Sequence, residues 1–340
     1  MNSTVETTRT RPRRRFGLGS VTETGVAAVF FALLAAVPLF ADDYMIYILP
    51  QYMLYGVLAM SLALLWGFTG IVSFGQAALF AIGGYVMGLC MGLNLPMNAG
   101  YVGIVAGAAF SGMLAGVIGY FLFSAGVRST HFVLITLALA IITQQIAVSQ
   151  SWLTGGWNGM FVPRMSLAPG TGGSIPGDTA FYVFILVFSA GCYFGVRHVL
   201  CGRFGKILAG IRENEDRLTA FGYRIDVYKS AAFALSGVIA GFAGSLYATT
   251  SGFVTPSLAG VLFSTQVLVW VAIGGRHSLL GAFAGAMLVA SVSTYFSAII
   301  PEYWQLIVGV LFILVIIYFK RGLAGLAESA FRWWQKRSSR

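Results

Sequence analysis

The sequence predicts an all-α polytopic membrane protein, and three observations carry that reading. Hydrophobic side chains make up 58% of the 340 residues and charged ones 9%, against about 45–50% and roughly 25% in a soluble domain. Mean hydropathy is +0.82. Long runs also lack any charge, namely 44–127, 230–275 and 303–319. The 43 glycines are the third observation, because small residues let helices approach closely in lipid. Together these exclude a soluble enzyme, a nucleic-acid binder and a domain held by one anchor. The net charge of +10 does not imply nucleic acid, because the basic residues gather at the chain ends and in one loop.

At about 20 residues per span, Gly, Pro and Asn divide the chain into ten apolar segments: 25–41, 44–66, 68–92, 100–124, 130–149, 179–196, 230–250, 260–275, 279–299 and 302–319. A basic tail, 1–24, precedes them, the membrane-embedded body runs over 25–325, and an amphipathic tail, 326–340, follows. The first segment follows an Arg-rich start as a secretory signal would, but Leu39-Phe40-Ala41 is a poor cleavage site and another apolar run follows at once. Pro50 sits in the first turns of the second segment and is placed to kink it. Segments 68–92 and 260–275 are glycine-rich, and the sequence leaves open whether they cross fully or re-enter. With the N-terminus inside, ten spans put 20 of the 21 basic residues on the cytoplasmic side and only Arg164 outside. Trp333 and Trp334 beside Lys336 and Arg337 mark an interfacial anchor on membrane lipid.

No Asp, Glu, Lys or Arg falls in the middle of any segment, which argues against a proton-coupled carrier that needs titratable groups at depth. The chain has no phosphate-binding loop: Gly205-Lys206 is followed by Ile207. Any ATP, with its Mg²⁺, must therefore sit on another polypeptide, and no cofactor is expected here. Cys90, Cys192 and Cys201 encode neither a disulfide framework nor a zinc site. His131, His198 and His277 stand alone and read as interface or loop residues. Neutral polar residues do occur at depth. Ser73, Gln76, Thr136, Gln144, Gln145 and Gln266 are candidates to line a pathway for a small zwitterion or amide, although each equally suits interhelical hydrogen bonding, worth about 0.6 kcal/mol on average.

The stretch 197–229 holds eleven charged residues. Phe204, Ile207, Leu208, Ile211, Leu218 and Phe221 recur at helical spacing, and Gly222 is a natural stop. Arg212 with Asp216 and Glu213 with Arg217 are opposite charges four residues apart. Glu215 would then interrupt the apolar stripe, a conflict that two short helices breaking near 212–214 relieve. A short amphipathic element of this kind can insert into a groove of a partner protein and pass on rigid-body motion.

Here the residues themselves resemble a known family. Gly202-Arg203-Phe204-Gly205-Lys206-Ile207-Leu208-Ala209-Gly210-Ile211-Arg212-Glu213-Asn214-Glu215, then Phe221-Gly222-Tyr223, is similar to the cytoplasmic loop of branched-chain amino acid ABC importer permeases of the LivM type. The stretches 67–77, 154–159, 228–236 and 240–247 resemble that family too, in the same order. The resemblance implies a bacterial inner-membrane subunit with both termini cytoplasmic. It implies three kinds of partner: a second permease of similar fold, two cytoplasmic ATPase subunits and an external solute-binding protein. It assigns ATPase contact to Arg203, Ile211, Arg212, Glu213, Asn214, Glu215 and Gly222, with Arg212, Glu213 and Glu215 the most exposed, and the external loop 150–179 to the binding protein.

Trp270-Val271-Ala272-Ile273-Gly274-Gly275-Arg276 and Pro301-Glu302-Tyr303-Trp304 are closer to urea-type permeases of the same superfamily, whereas Thr136–Ala140 leans toward amino-acid members. Urea or a short amide is therefore the alternative substrate. Half-helix N-termini near Gly70–Ser73 or Gly275–Ser278 could hold a substrate carboxylate. A stand-alone passive channel would leave the charged loop without a purpose.

Overall fold

The structure is a computed structural model that describes residues 21–93, 98–127, 129–167, 177–299 and 309–310. Twelve α-helices follow one another in the described residues: α1 (Val21–Ala36), α2 (Asp43–Ala63), α3 (Gln76–Gly92), α4 (Ala99–Ser124), α5 (Ser129–Ser149), the single turn α6 (Ser151–Thr154), α7 (Asp178–Cys201), α8 (Arg203–Glu213), α9 (Glu215–Ala220), α10 (Ile225–Ser251), α11 (Val261–Gly274) and α12 (Leu279–Ile299). α2 runs on into a wider π-helical stretch, Leu64–Thr69. A two-residue antiparallel pairing of Met160–Phe161 with Phe253–Val254 ties the segment after α6 to the end of α10.

Six described helices are long and apolar enough to cross a membrane: Asp43–Thr69, Ala99–Ser124, Thr130–Ser149, Asp178–Cys201, Ile225–Ser251 and Leu279–Ile299. Glu23–Leu39, Gln76–Gly92 and Val261–Gly274 are apolar but shorter. The expectation of about ten spans is not met on length. At about 1.5 Å per residue, α3 and α11 fall short of a hydrocarbon core about 30 Å thick. The tenth segment, 302–319, lies outside the described residues except for 309–310, as do the tails except for 21–24, which open α1. Pro50 lies inside α2 without ending it.

α10 is the hub, lying along α4 and against α3 and α2. Glycine makes this possible. A Cβ on Gly83 of α3 would come within 2.1 Å of the Gly241 carbonyl oxygen on α10, and one on Gly244 within 1.8 Å of the Phe80 carbonyl oxygen on α3. On α4, a Cβ at Gly107 would meet the Ser245 hydroxyl at 2.0 Å. Backbones this close exchange side-chain hydrogen bonds directly with carbonyls: the Ser245 Oγ donates to Gly83 at 3.0 Å and the Ser111 Oγ to Leu79 at 2.9 Å.

α1 packs on α7, where Arg197 meets Glu23 at 3.2 Å and the Tyr182 hydroxyl donates to the Leu34 carbonyl at 2.7 Å. α11 and α12 pack on α2. Gly244→Ala is expected to lower the detergent-solubilised melting temperature by several degrees, from an overpacking cost of about 1–3 kcal/mol. Gly191→Ala, on a face of α7 with no atom within 4 Å, should leave it unchanged or slightly raised.

Candidate coupling site

The charged stretch folds as the apolar spacing requires, in two helices broken at Asn214. α8 buries Gly205, Leu208 and Ile211. Asn214 takes an extended conformation, and its side-chain oxygen accepts the Arg217 N–H at 3.0 Å, capping α9. Glu215 and Asp216 fill the first turn of α9, where the helix dipole favours acidic groups. Gly222, at φ +84°, ends it. The Tyr223 N–H reaches the Leu218 carbonyl and the Gly222 N–H the Thr219 carbonyl, a Schellman closure. The break divides the two opposite-charge pairs between separate helices. It also frees Glu215 from the apolar stripe: its carboxylate meets the buried Lys229 ammonium of α10 at 2.6 Å, and Lys229 lies over the Phe123 ring at 5.6 Å. The stretch is more helical than a loop, since α7 extends to Cys201 and α10 begins at Ile225.

Arg203, Glu213, Asn214 and Glu215 are exposed and Ile211 is buried. Arg212, expected among the most exposed, is instead half-buried and turned toward the bundle. Its guanidinium donates to the Gly67 carbonyl oxygen at the end of the π-helical stretch. The reason is electrostatic. The last carbonyls of a helix lack intrahelical donors and carry partial negative charge, so the end of the 27-residue helix Asp43–Thr69 attracts cations.

His277, on the loop between α11 and α12, completes the junction. Its Nδ1 lies 3.3 Å from the same Gly67 oxygen and 3.1 Å from Arg212 Nη1, and Arg276 Nε donates to its Nε2 at 3.2 Å. With Nε2 accepting, the neutral ring keeps its proton on Nδ1, facing Gly67. Burial first, then the charges of Arg212 and Arg276, hold the His277 pKa below its ordinary value. Burial likewise lowers that of Arg212. Two glycines fit the junction. A Cβ on Gly67 would sit 1.9 Å from the Arg276 carbonyl oxygen, and Gly70, at φ +79°, lies under the Arg212 side chain.

The polar candidates separate into groups. Ser73, Gln76 and Thr136 are buried together where the chain runs irregularly from Gly70 into α3. Ser73 Oγ accepts the Gly75 N–H at 3.1 Å and Thr136 Oγ1 the Phe74 N–H at 3.2 Å. The Gln76 amide bridges Ser61 of α2 and Ser236 of α10, each at 3.1 Å. These bonds fasten the irregular segment to α2, α5 and α10. Gln144 is half-buried beside Gly260, and Gln145 is exposed on α5. Gln266 lines a cleft elsewhere, between α2, α11 and α12. Gly67 and His277 were not singled out from the sequence as site residues. Gly67 opens one of the recognisable stretches, but the partner that makes it necessary lies some 210 residues away.

Residues 44–316 match the model of the family described as branched-chain amino acid transport system, permease component. The chain belongs to that family. Among relatives of this permease, the LivM permease protein of a high-affinity branched-chain amino acid transport system of Salmonella typhimurium is 27% identical over 295 residues, 80% of this chain and 68% of that protein. Its Escherichia coli counterpart is 26% identical over 294 residues, with the same coverage. The autoinducer 2 import system permease LsrC of Yersinia pseudotuberculosis is 24% identical over 259 residues, 73% of this chain and 71% of that protein. No solved structure matches the permease.

Two outcomes follow for the junction. Because the folded pKa of His277 is depressed, the unfolded chain takes up its proton first as pH falls through about 6.5. Thermal stability should therefore drop as pH falls from about 7.5 to about 5.5, one unit either side of that value, and less steeply in His277→Gln; melting curves across that range check it. Glu215→Gln leaves the Lys229 charge without its counter-ion. Since Glu215 is 45% exposed, the expected loss is about 1–2 kcal/mol, below the 3–5 kcal/mol of a fully buried pair, and Lys229→Met in the same background should restore part of it in chemical unfolding.

Proposed function

We propose that this permease is the translocating subunit of an ATP-driven importer for branched-chain or related amino acids. It is a non-enzymatic subunit: the chain carries no phosphate-binding loop, so ATP and Mg²⁺ belong to partner ATPases. In this reading α8 and α9 face the cytoplasm, in keeping with the basic residues at that end of the bundle. Arg203, Glu213, Asn214 and Glu215 form the outward face for an ATPase subunit, Ile211 seats α8 on the bundle, and Gly222 fixes the return of the chain. A second permease and an external binding protein, received at 150–179, complete the assembly, as the family implies in general terms.

The observation that carries this reading is the two-sided construction of α8. One side exposes charge, and the other is bonded through Arg212 to the end of α2 and to the loop between α11 and α12. Movement imposed from outside on α8 reaches helices of the bundle through charge-assisted hydrogen bonds, each worth about 1.5–3 kcal/mol. A solvated connector needs no such bond.

The substrate is tested by uptake of labelled leucine and labelled urea into cells with and without this chain, its partners intact. ATP-dependent loss of leucine uptake is expected on deletion. Loss of urea uptake alone would keep the architecture and replace the substrate. Arg212→Ala combined with Glu213→Ala should leave an assembled complex that still hydrolyses ATP while leucine uptake falls about tenfold or more, equivalent to about 1.4 kcal/mol; normal uptake by that variant would remove the coupling assignment.

A further inference from the structure

We infer that the cleft between α2, α11 and α12 is a substrate subsite, shaped for a zwitterionic amino acid with an aliphatic side chain. The inference rests on the importer reading above and names the place where the solute is touched. Tyr52 and Tyr55 of α2, Phe263, Gln266 and Trp270 of α11, and Ser293 and Thr294 of α12 line it, with Val289 and Ala290 at its wall. Its volume of about 180 Å³ compares with the roughly 150 Å³ that accommodates benzene in an apolar protein cavity. An isobutyl group fits that space.

The lining divides by chemistry. Tyr55 and Trp270 stand 5.0 Å apart, and Phe263 lies 5.7 Å from each. These faces suit an aliphatic chain, and their π-density suits an ammonium group in the absence of a carboxylate. The same lining carries neutral polar groups: Gln266, which shares the α11 face of Phe263 and Trp270, and Ser293 and Thr294 of α12. Among the described residues no side chain hydrogen-bonds to the Gln266 amide, whereas the hydroxyls of its neighbours Ser264 and Thr265 are turned back onto the helix carbonyls of Gly260 and Val261. The Thr294 hydroxyl donates to the Ala290 carbonyl at 3.0 Å, which leaves the Gln266 amide and the Ser293 hydroxyl as the donors that can hold a carboxylate without placing a fixed charge in the bilayer. Urea offers no apolar surface to the aromatic wall, so it would use half of the lining.

The place in the fold agrees with this chemistry. α11 spans 14 residues and α3 only 17, and each follows an irregular stretch. Short, interrupted helices in a transport bundle mark binding sites at membrane depth. Phe80 of α3 joins the same aromatic group, with its ring 5.8 Å from Phe263. Ser293 and Thr294 also line a neighbouring depression, together with Ser297 and Ala298 of α12.

The test uses the complete transporter in proteoliposomes, with labelled leucine, alanine and urea at saturating supply, in equal amounts of assembled complex. Gln266→Leu, nearly equal in volume, should lower leucine uptake about tenfold or more. Ala290→Ile, which fills the cleft, should lower the leucine-to-alanine uptake ratio about tenfold. In Ala290→Ile a purely structural effect would reduce both amino acids in proportion, and that result overturns the subsite. So does an unchanged leucine rate in Gln266→Leu. If the unaltered transporter carries leucine but neither variant shifts the profile, the cleft fails and the importer reading stands. If it carries urea and no leucine, the ligand class and the proposed substrate fall together.

Discussion

Backbone-to-backbone approach at α3, α4 and α10 is the constraint on which the rest of the bundle depends. In lipid, apolar burial no longer distinguishes one helix contact from another, and association falls to dispersion, small residues and hydrogen bonds. Gly83, Gly107, Gly241 and Gly244 remove every atom that would hold the three helices apart. Ser111 and Ser245 then spend their hydroxyls on carbonyls of α3 and α10. Around this dry centre α2 is almost entirely buried along its inner half, and it is α2 that carries both features of interest.

Those features share their supporting elements. The cleft draws on α2 near Tyr52 and Tyr55 and on α11 and α12. The junction with α8 lies at the other end of α2, at Gly67, and at the turn joining α11 to α12. From Tyr55 to Gly67 is about 18 Å of helix at 1.5 Å per residue. The α2 route is continuous helix from Tyr55 to the π-helical stretch at Gly67, whereas the route through His277 passes the turn between α11 and α12. His277, lodged between two arginines, makes the inner end of that route sensitive to proton activity.

Much of this organisation is visible in the residues, and what is hidden has a physical reason. The apolar segments follow from composition because a bilayer admits little else. The break at Asn214 was legible from a single misfit, Glu215 in an apolar stripe. The inward turn of Arg212 was not legible, because helical spacing places a residue on a face but says nothing of a carbonyl on another helix that will accept its proton. The sequence left open whether 68–92 and 260–275 cross or re-enter, since hydropathy cannot tell a crossing helix from α3 or α11, which are shortened by the irregular stretches ahead of them. Ser73, Gln76 and Thr136 could be read as polar at depth, but whether their hydrogen bonds close on the protein depends on neighbours far along the chain, such as Ser236.

The Gly67 carbonyl has a fixed capacity. An oxygen of this kind offers two lone pairs, and Arg212 and His277 approach both. The junction is therefore saturable: another donor arriving there displaces one already present. A helix that swings α8 away removes one donor and leaves the other, so the oxygen passes from doubly to singly bonded without being stranded. Loss of one donor thus costs less here than at a carbonyl with a single partner, where the buried oxygen would be left unpaired.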